Sequence, residues 1–159
     1  LREYLARASS GADNVNFWEV TDLTSLDLSH NRLQVLDDEA LTALASLHVL
    51  TVSHNPLRNL SPSLSQLGAL KCFRASEIML QSLGDAPFPH SLIELDLSGN
   101  ALAQLPANFG SCVPSLQILN LQQNQLSQLP ALPQCLVRLN ATANCLTHIL
   151  LSALGSLEI

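Results

Sequence analysis

The sequence predicts an α/β solenoid, a right-handed horseshoe with a parallel sheet on its concave face and mixed short-helix and extended segments on its convex face. Three observations carry this. First, the pattern L-x-x-L-x-L-x-x-N-x-L occurs six times, in full or nearly so, starting at Leu23, Leu47, Leu70, Leu92, Leu116 and Leu136. Second, successive starts are 24, 23, 22, 24, 20 and 21 residues apart when Leu157 is taken as a seventh, a period at which each unit supplies one strand and one return segment. Third, hydrophobic residues make up 47% of the chain but aromatic residues only 4%, which suits thin stacked layers of aliphatic side chains.

Each unit begins with a strand x-L-x-L-x. Alternation sends its two apolar residues inward and the residue between them onto the concave face. The Asn that follows turns the chain out of the strand, and its amide can satisfy backbone groups that the turn buries. Asn31, Asn55, Asn100, Asn124 and Asn144 form this structural ladder. Ile78 interrupts it. An aliphatic side chain supplies no such bonds, so the third unit is expected to have a distorted turn or a borrowed partner.

The return segments differ. The first holds Leu36, Ala40, Leu41 and Leu44 at helical spacing, with Asp37, Asp38 and Glu39 where a helix N-terminus favours negative charge. The second, from Asn59 to Ala69, is expected to hold a turn or two of helix after Pro62. The third places Pro87 and Pro89 around Phe88 and reads as extended. The fourth puts Phe109 and Cys112 at core positions after Leu105-Pro106. The fifth, SQLPALPQC, is too short and too rich in proline for a helix. Cys112 and Cys135 are both read as small buried hydrophobes.

Residues 1–22 do not fit the repeat. Leu1, Leu5 and Ala8 predict a short amphipathic helix, and Phe17, Trp18 and Val20 an aromatic cover for the first unit. The domain reading is therefore 1–22 as an N-terminal cap and 23–159 as the repeat array, six units and the start of a seventh. The closing Leu157-Glu158-Ile159 has the form of another strand, and the opening residue is not Met, so the chain is expected to be an excerpt of a longer protein.

A net charge of -6 and pI near 5.1 argue against a general nucleic-acid binder, which would carry a basic stripe. No run approaches the ~18 apolar residues of a transmembrane helix. Cys72, Cys112, Cys135 and Cys145 are scattered without a C-x-x-C pair, which fits a reducing compartment. Two N-x-[ST] triplets, at Asn59 and Asn140, stand against that reading, although Asn140 falls within a strand and is a poor acceptor. The expected location is intracellular, in the cytoplasm.

The repeats, with their Leu-Pro steps at Leu105-Pro106 and Leu129-Pro130, resemble those of intracellular leucine-rich repeat proteins. The stretch Phe17-Trp18-Glu19-Val20-Thr21-Asp22-Leu23-Thr24-Ser25-Leu26 resembles the opening of the array in the family of leucine-rich repeat-containing protein forty. The resemblance implies a cytoplasmic or nuclear solenoid without a catalytic domain. It supplies no binding residues to transfer.

The exposed columns must then be read directly. Between the strand apolar residues stand Asp27, Thr51, Arg74, Asp96, Asn120 and Asn140. The column before holds Ser25, Val49, Cys72, Glu94, Ile118 and Arg138, and the column after holds Ser29, Ser53, Ser76, Ser98, Gln122 and Thr142. Arg74 beside Asp96 is read as a cross-strand ion pair. Cys72, beside Lys71 and Arg74, is expected to have a lowered pKa. The predicted partner-binding residues are Asp27, Val49, Thr51, Cys72, Arg74, Glu94, Asp96, Ile118, Asn120, Arg138 and Asn140.

His30 and His54 precede equivalent Asn residues and are expected to stack on one lip, but no third ligand stands at metal-binding spacing. His48, His90 and His148 are expected to face solvent. No catalytic residue, metal or cofactor is predicted, and no phosphate loop, zinc-protease or dinucleotide motif is present. The function predicted is a non-catalytic protein-interaction scaffold that binds a protein partner through the concave face, with no nucleic acid, membrane span or small-molecule substrate. The alternatives are a structural segment of a large assembly and a regulatory domain of a larger signalling enzyme.

Overall fold

The computed structural model describes residues 22–85 and 88–148. The predicted cap helix from Leu1, the aromatic cover at Phe17 and Trp18, Pro87 and the seventh start at Leu157 lie outside the described residues.

Six three-residue strands, β1 (Ser25–Asp27), β2 (Val49–Thr51), β3 (Cys72–Arg74), β4 (Glu94–Asp96), β5 (Ile118–Asn120) and β6 (Arg138–Asn140), form one sheet in sequence order. Every neighbouring pair is parallel and in the register that the repeat predicts, so Leu26, Leu50, Phe73, Leu95, Leu119 and Leu139 stand side by side. Parallel neighbours need a crossover, and the return segments supply it. Behind the sheet the repeat leucines form one continuous core, in which Leu47, Leu50, Leu92, Leu95, Leu116 and Leu121 are fully buried. Full burial of each such side chain contributes roughly 1.5–3 kcal/mol before entropy is counted.

The return segments follow their local sequences. Helix α1 (Asp38–Thr42) starts at Asp37, whose carboxylate accepts from the Glu39 N–H at 3.0 Å. Asp38 and Glu39 lie in its first turn, where the helix dipole favours negative charge. A single 3₁₀ turn, η1 (Pro62–Gln66), has Ser61 as its cap and proline in its first turn, where a missing N–H costs nothing. The Ser61 hydroxyl also donates to Asp38 and ties the first two coils together. Helix α2 (Phe109–Cys112) forms in the fourth coil, while no helix forms in the described part of the third coil or in the fifth. Phe88 in the third coil packs against Phe73, with ring centroids 6.2 Å apart.

Cys112 packs partly buried against the core, but Cys135 is exposed, contrary to the expectation that both are buried. Leu132 and the buried Leu129 fill the interior of the fifth unit instead. Cys135 immediately precedes a repeat-starting Leu, as Ser46, Ala69, Ser91 and Ser115 do, and none of those is buried.

The Asn ladder explains how the strand ends are sealed. The Asn100 amide donates to the carbonyls of Ala75 and Leu97, each at 2.9 Å, and its Oδ1 accepts from the N–H groups of Ile78 at 3.1 Å and Leu80 at 3.0 Å. Asn124 donates likewise to Leu97 and Leu121, and Asn144 to Leu121 and Ala141. Adjacent rungs therefore share carbonyls.

At Ile78 the rung is missing and the side chain is fully buried. The Leu57 N–H, which an Asn there would have accepted, bends back to the Asn55 carbonyl at 2.9 Å, and the Arg58 N–H donates to the Ile78 carbonyl at 2.9 Å. Arg58 and Met79 take up positive φ values of 63° at this defect. The distorted turn expected in the third unit is present.

Candidate functional site

The concave face is built by the three columns that the register brings together. The middle column runs Asp27, Thr51, Arg74, Asp96, Asn120, Asn140. Asp27, Arg74 and Arg138 are exposed, and Val49, Thr51, Glu94, Asp96, Ile118, Asn120 and Asn140 are half-buried. Cys72 is only 8% exposed, so the thiol lies under the surface and not on it. Among the described residues these columns carry no aromatic side chain.

Arg74 does not pair with Asp96, although the two stand opposite each other in register. Its Nε and Nη2 both donate to Glu94 Oε1, at 3.0 and 2.8 Å. Asp96 Oδ1 is already held by the Ser98 N–H at 2.9 Å and the Ser98 hydroxyl at 2.7 Å, which turns that oxygen toward the strand end. The long guanidinium stem reaches the diagonal neighbour instead. With both partners partly exposed, this pair contributes only about 0.2–1 kcal/mol.

The same device recurs along the column. Asp27 accepts from the Ser29 N–H at 2.8 Å and from its hydroxyl. These two bonds hold the Asp27 carboxyl below its usual pKa. Asn140 accepts from the Thr142 N–H at 3.2 Å and hydroxyl at 2.7 Å, and donates to Gln122 Oε1 at 3.1 Å. Asp27, Asp96, Asn120 and Asn140 are thus each oriented by the residue two positions later, so much of the face is pre-arranged before anything binds.

The lowered pKa expected for Cys72 is not found. Burial pushes its thiol up to about 11, with the Glu94 carboxylate adding to the effect and outweighing Arg74. A buried thiol of this kind is a poor nucleophile.

On the lip, the residue before each ladder position has a positive φ: His30 54°, His54 56°, Glu77 51°, Gly99 65°, Gln123 55° and Ala143 54°. The turn requires this, and of the six only Gly99 advertises it in the sequence. His30 and His54 stack with ring centroids 4.1 Å apart and 13° between planes, as the repeat spacing predicts. His54 Nδ1 lies 3.2 Å from Glu77 Oε2, a contact that the spacing of the turn columns could have foretold. His48, His90 and His148 are exposed. On the return side, a cleft of about 340 Å³ between the fourth and fifth coils has Cys135 as the only ionisable side chain of its lining. No helix among the described residues is long and apolar enough to cross a membrane.

Comparison with known proteins agrees with this architecture. Residues 21–72 match the family description "Leucine rich repeat" and residues 90–134 match "Leucine Rich repeats (2 copies)". A Drosophila melanogaster leucine-rich repeat and calponin homology domain-containing protein is 33% identical over 143 residues, covering 75% of this chain and 17% of the relative. The mouse geranylgeranyl transferase type-2 subunit alpha is 42% identical over 113 residues, covering 69% of this chain and 19% of the relative. Among solved structures, the TLR13–ssRNA13 complex superposes with a TM-score of 0.73 at 30% identity, over 84% of this chain and 20% of that one. The chain therefore spans about a fifth of the length of these relatives.

Proposed function

This chain belongs to the leucine-rich repeat family, and on that premise we propose that it is a non-catalytic interaction module whose concave face binds a protein partner. The observation that carries the reading is the pre-arranged face. Asp27, Asp96, Asn120 and Asn140 are each held by a backbone N–H two residues later, so binding does not have to order them. Half-buried Val49 and Ile118 add apolar contact between the polar groups.

One structural relative is bound to single-stranded RNA. RNA asks for cations along its phosphates. Here the chain carries a net charge of -6, and Arg74, one of the two arginines in the front columns, is already spent on Glu94. This favours a protein over a nucleic acid. The cysteines Cys72, Cys112, Cys135 and Cys145 are all unbridged, which goes with a reducing, intracellular compartment. That relatives include a subunit of an enzyme supports a second reading, in which the array is a structural or regulatory segment of a larger protein.

Photo-crosslinking tests the choice of face. Crosslinkers at concave positions 51 and 120 are expected to capture a purified partner, and crosslinkers at positions 66 and 103 on the return side are not. Capture confined to the return side overturns the proposal.

A further inference from the structure

Resting on the concave-face reading, we propose that the occupant is an extended peptide segment carrying two basic side chains four residues apart, one over Asp27 and one over Asp96. The argument begins with charge. Across β1 to β4 the front two columns carry the carboxylates of Asp27, Glu94 and Asp96 against the single guanidinium of Arg74. Arg74 and Glu94 neutralise each other through two hydrogen bonds. Among the described residues neither Asp27 nor Asp96 has an ion pair. Each has one oxygen, Oδ1, fixed by its serine, and no described residue donates to the other.

Register then sets the distance. Asp27, Thr51, Arg74 and Asp96 are successive members of one column. Three strand spacings of about 4.8 Å separate the two aspartates by about 14 Å. An extended chain crossing the strands rises about 3.3–3.4 Å per residue, so four residues span about 13–14 Å, and an even interval returns both side chains to the same side. An interval of three would turn the second cation away from the face, and one helical turn spans only about 5.4 Å. The residue midway between the two cations falls between β2 and β3 in the same column, over Thr51 and beside the Glu94-bound Arg74, where a small polar side chain fits.

The test uses the whole chain and nine-residue fluorescent peptides of Ser and Thr, with two lysines at i and i+4, or at i and i+3, or none. The i, i+4 peptide is expected to bind about threefold or more tightly than the i, i+3 peptide, the scale of one exposed ion pair. Asp27→Asn and Asp96→Asn, which keep the serine hydrogen bonds, should each remove that preference, and added salt should weaken it. Equal affinity for the two spacings, indifference to both variants, or tighter binding of an oligoribonucleotide than of the i, i+4 peptide overturns the inference. If spacing proves irrelevant while the concave crosslinks to a partner persist, only this inference falls. If the concave crosslinks are lost as well, the functional reading falls with it.

Discussion

Replacing Asn100 by Ala should destabilise the array far more than replacing Asn124 by Ala, although the two residues occupy equivalent positions in adjacent coils. Asn124 shares its carbonyls with intact rungs on both sides. When it is removed, Leu97 keeps Asn100 and Leu121 keeps Asn144, and only the Leu102 N–H loses its partner. Asn100 stands next to the rung that Ile78 lacks. Its removal strands the N–H groups of Ile78 and Leu80 and the carbonyl of Ala75, because no residue at position 78 shares that carbonyl. Three buried groups are orphaned in one variant and one in the other. At about 1–3 kcal/mol for each unsatisfied buried group, the difference is about 2 kcal/mol even at the low end of the range. Urea denaturation followed by far-ultraviolet circular dichroism of both variants measures it. Equal losses, or a larger loss for Asn124→Ala, would refute the idea that neighbouring rungs cover for each other.

Three further predictions rest on other parts of the fold. Gly110→Ala places a Cβ 2.7 Å from the Ala131 carbonyl oxygen and 2.9 Å from the Leu132 carbonyl carbon, both backbone atoms, so it should cost about 1–3 kcal/mol. Gly68→Ala meets nothing within 4 Å and should change stability by less than about 0.5 kcal/mol, so equal melting temperatures for the two variants would sink the clash argument. With iodoacetamide at neutral pH, exposed Cys135 and Cys145 should be alkylated well before Cys72, whose thiol is buried and has a pKa of about 11; mass spectrometry showing Cys72 labelled first would contradict this. Asp27 has a folded-state pKa below its ordinary value, so its hydrogen bonds to Ser29 stabilise the fold above the unfolded pKa and are lost as pH falls through the lowered folded value. Ser29→Ala should raise the Asp27 pKa in an NMR titration, and an unchanged midpoint would remove Ser29 as the cause.

The points where sequence and structure part are local and have a common origin. The repeat spacing places Arg74 opposite Asp96 correctly, and the structure keeps that register. What spacing does not carry is that Ser98 turns Asp96 Oδ1 toward the strand end while the Arg74 guanidinium closes on the diagonal Glu94. Cys72 fails for a similar reason. Its sequence neighbours Lys71 and Arg74 suggest an activated thiol, but the pKa answers to burial and to Glu94 from the next strand. Cys135 was recoverable from the sequence, since aligning it with Ser46, Ala69, Ser91 and Ser115 puts it outside the core.

The amino-acid sequence by itself determined the parallel six-strand solenoid, the strand register, the Asn ladder with its break at Ile78, and the stacking of His30 on His54. A fixed period with alternating apolar residues admits one way of burying its leucines, so these features follow from pattern alone. Only the tertiary structure decided which charged groups pair, which thiol is buried, and how the lost rung is covered. Those outcomes depend on side-chain reach and on competition for hydrogen bonds between neighbouring coils, roughly twenty residues apart in the chain, and no local spacing records that competition.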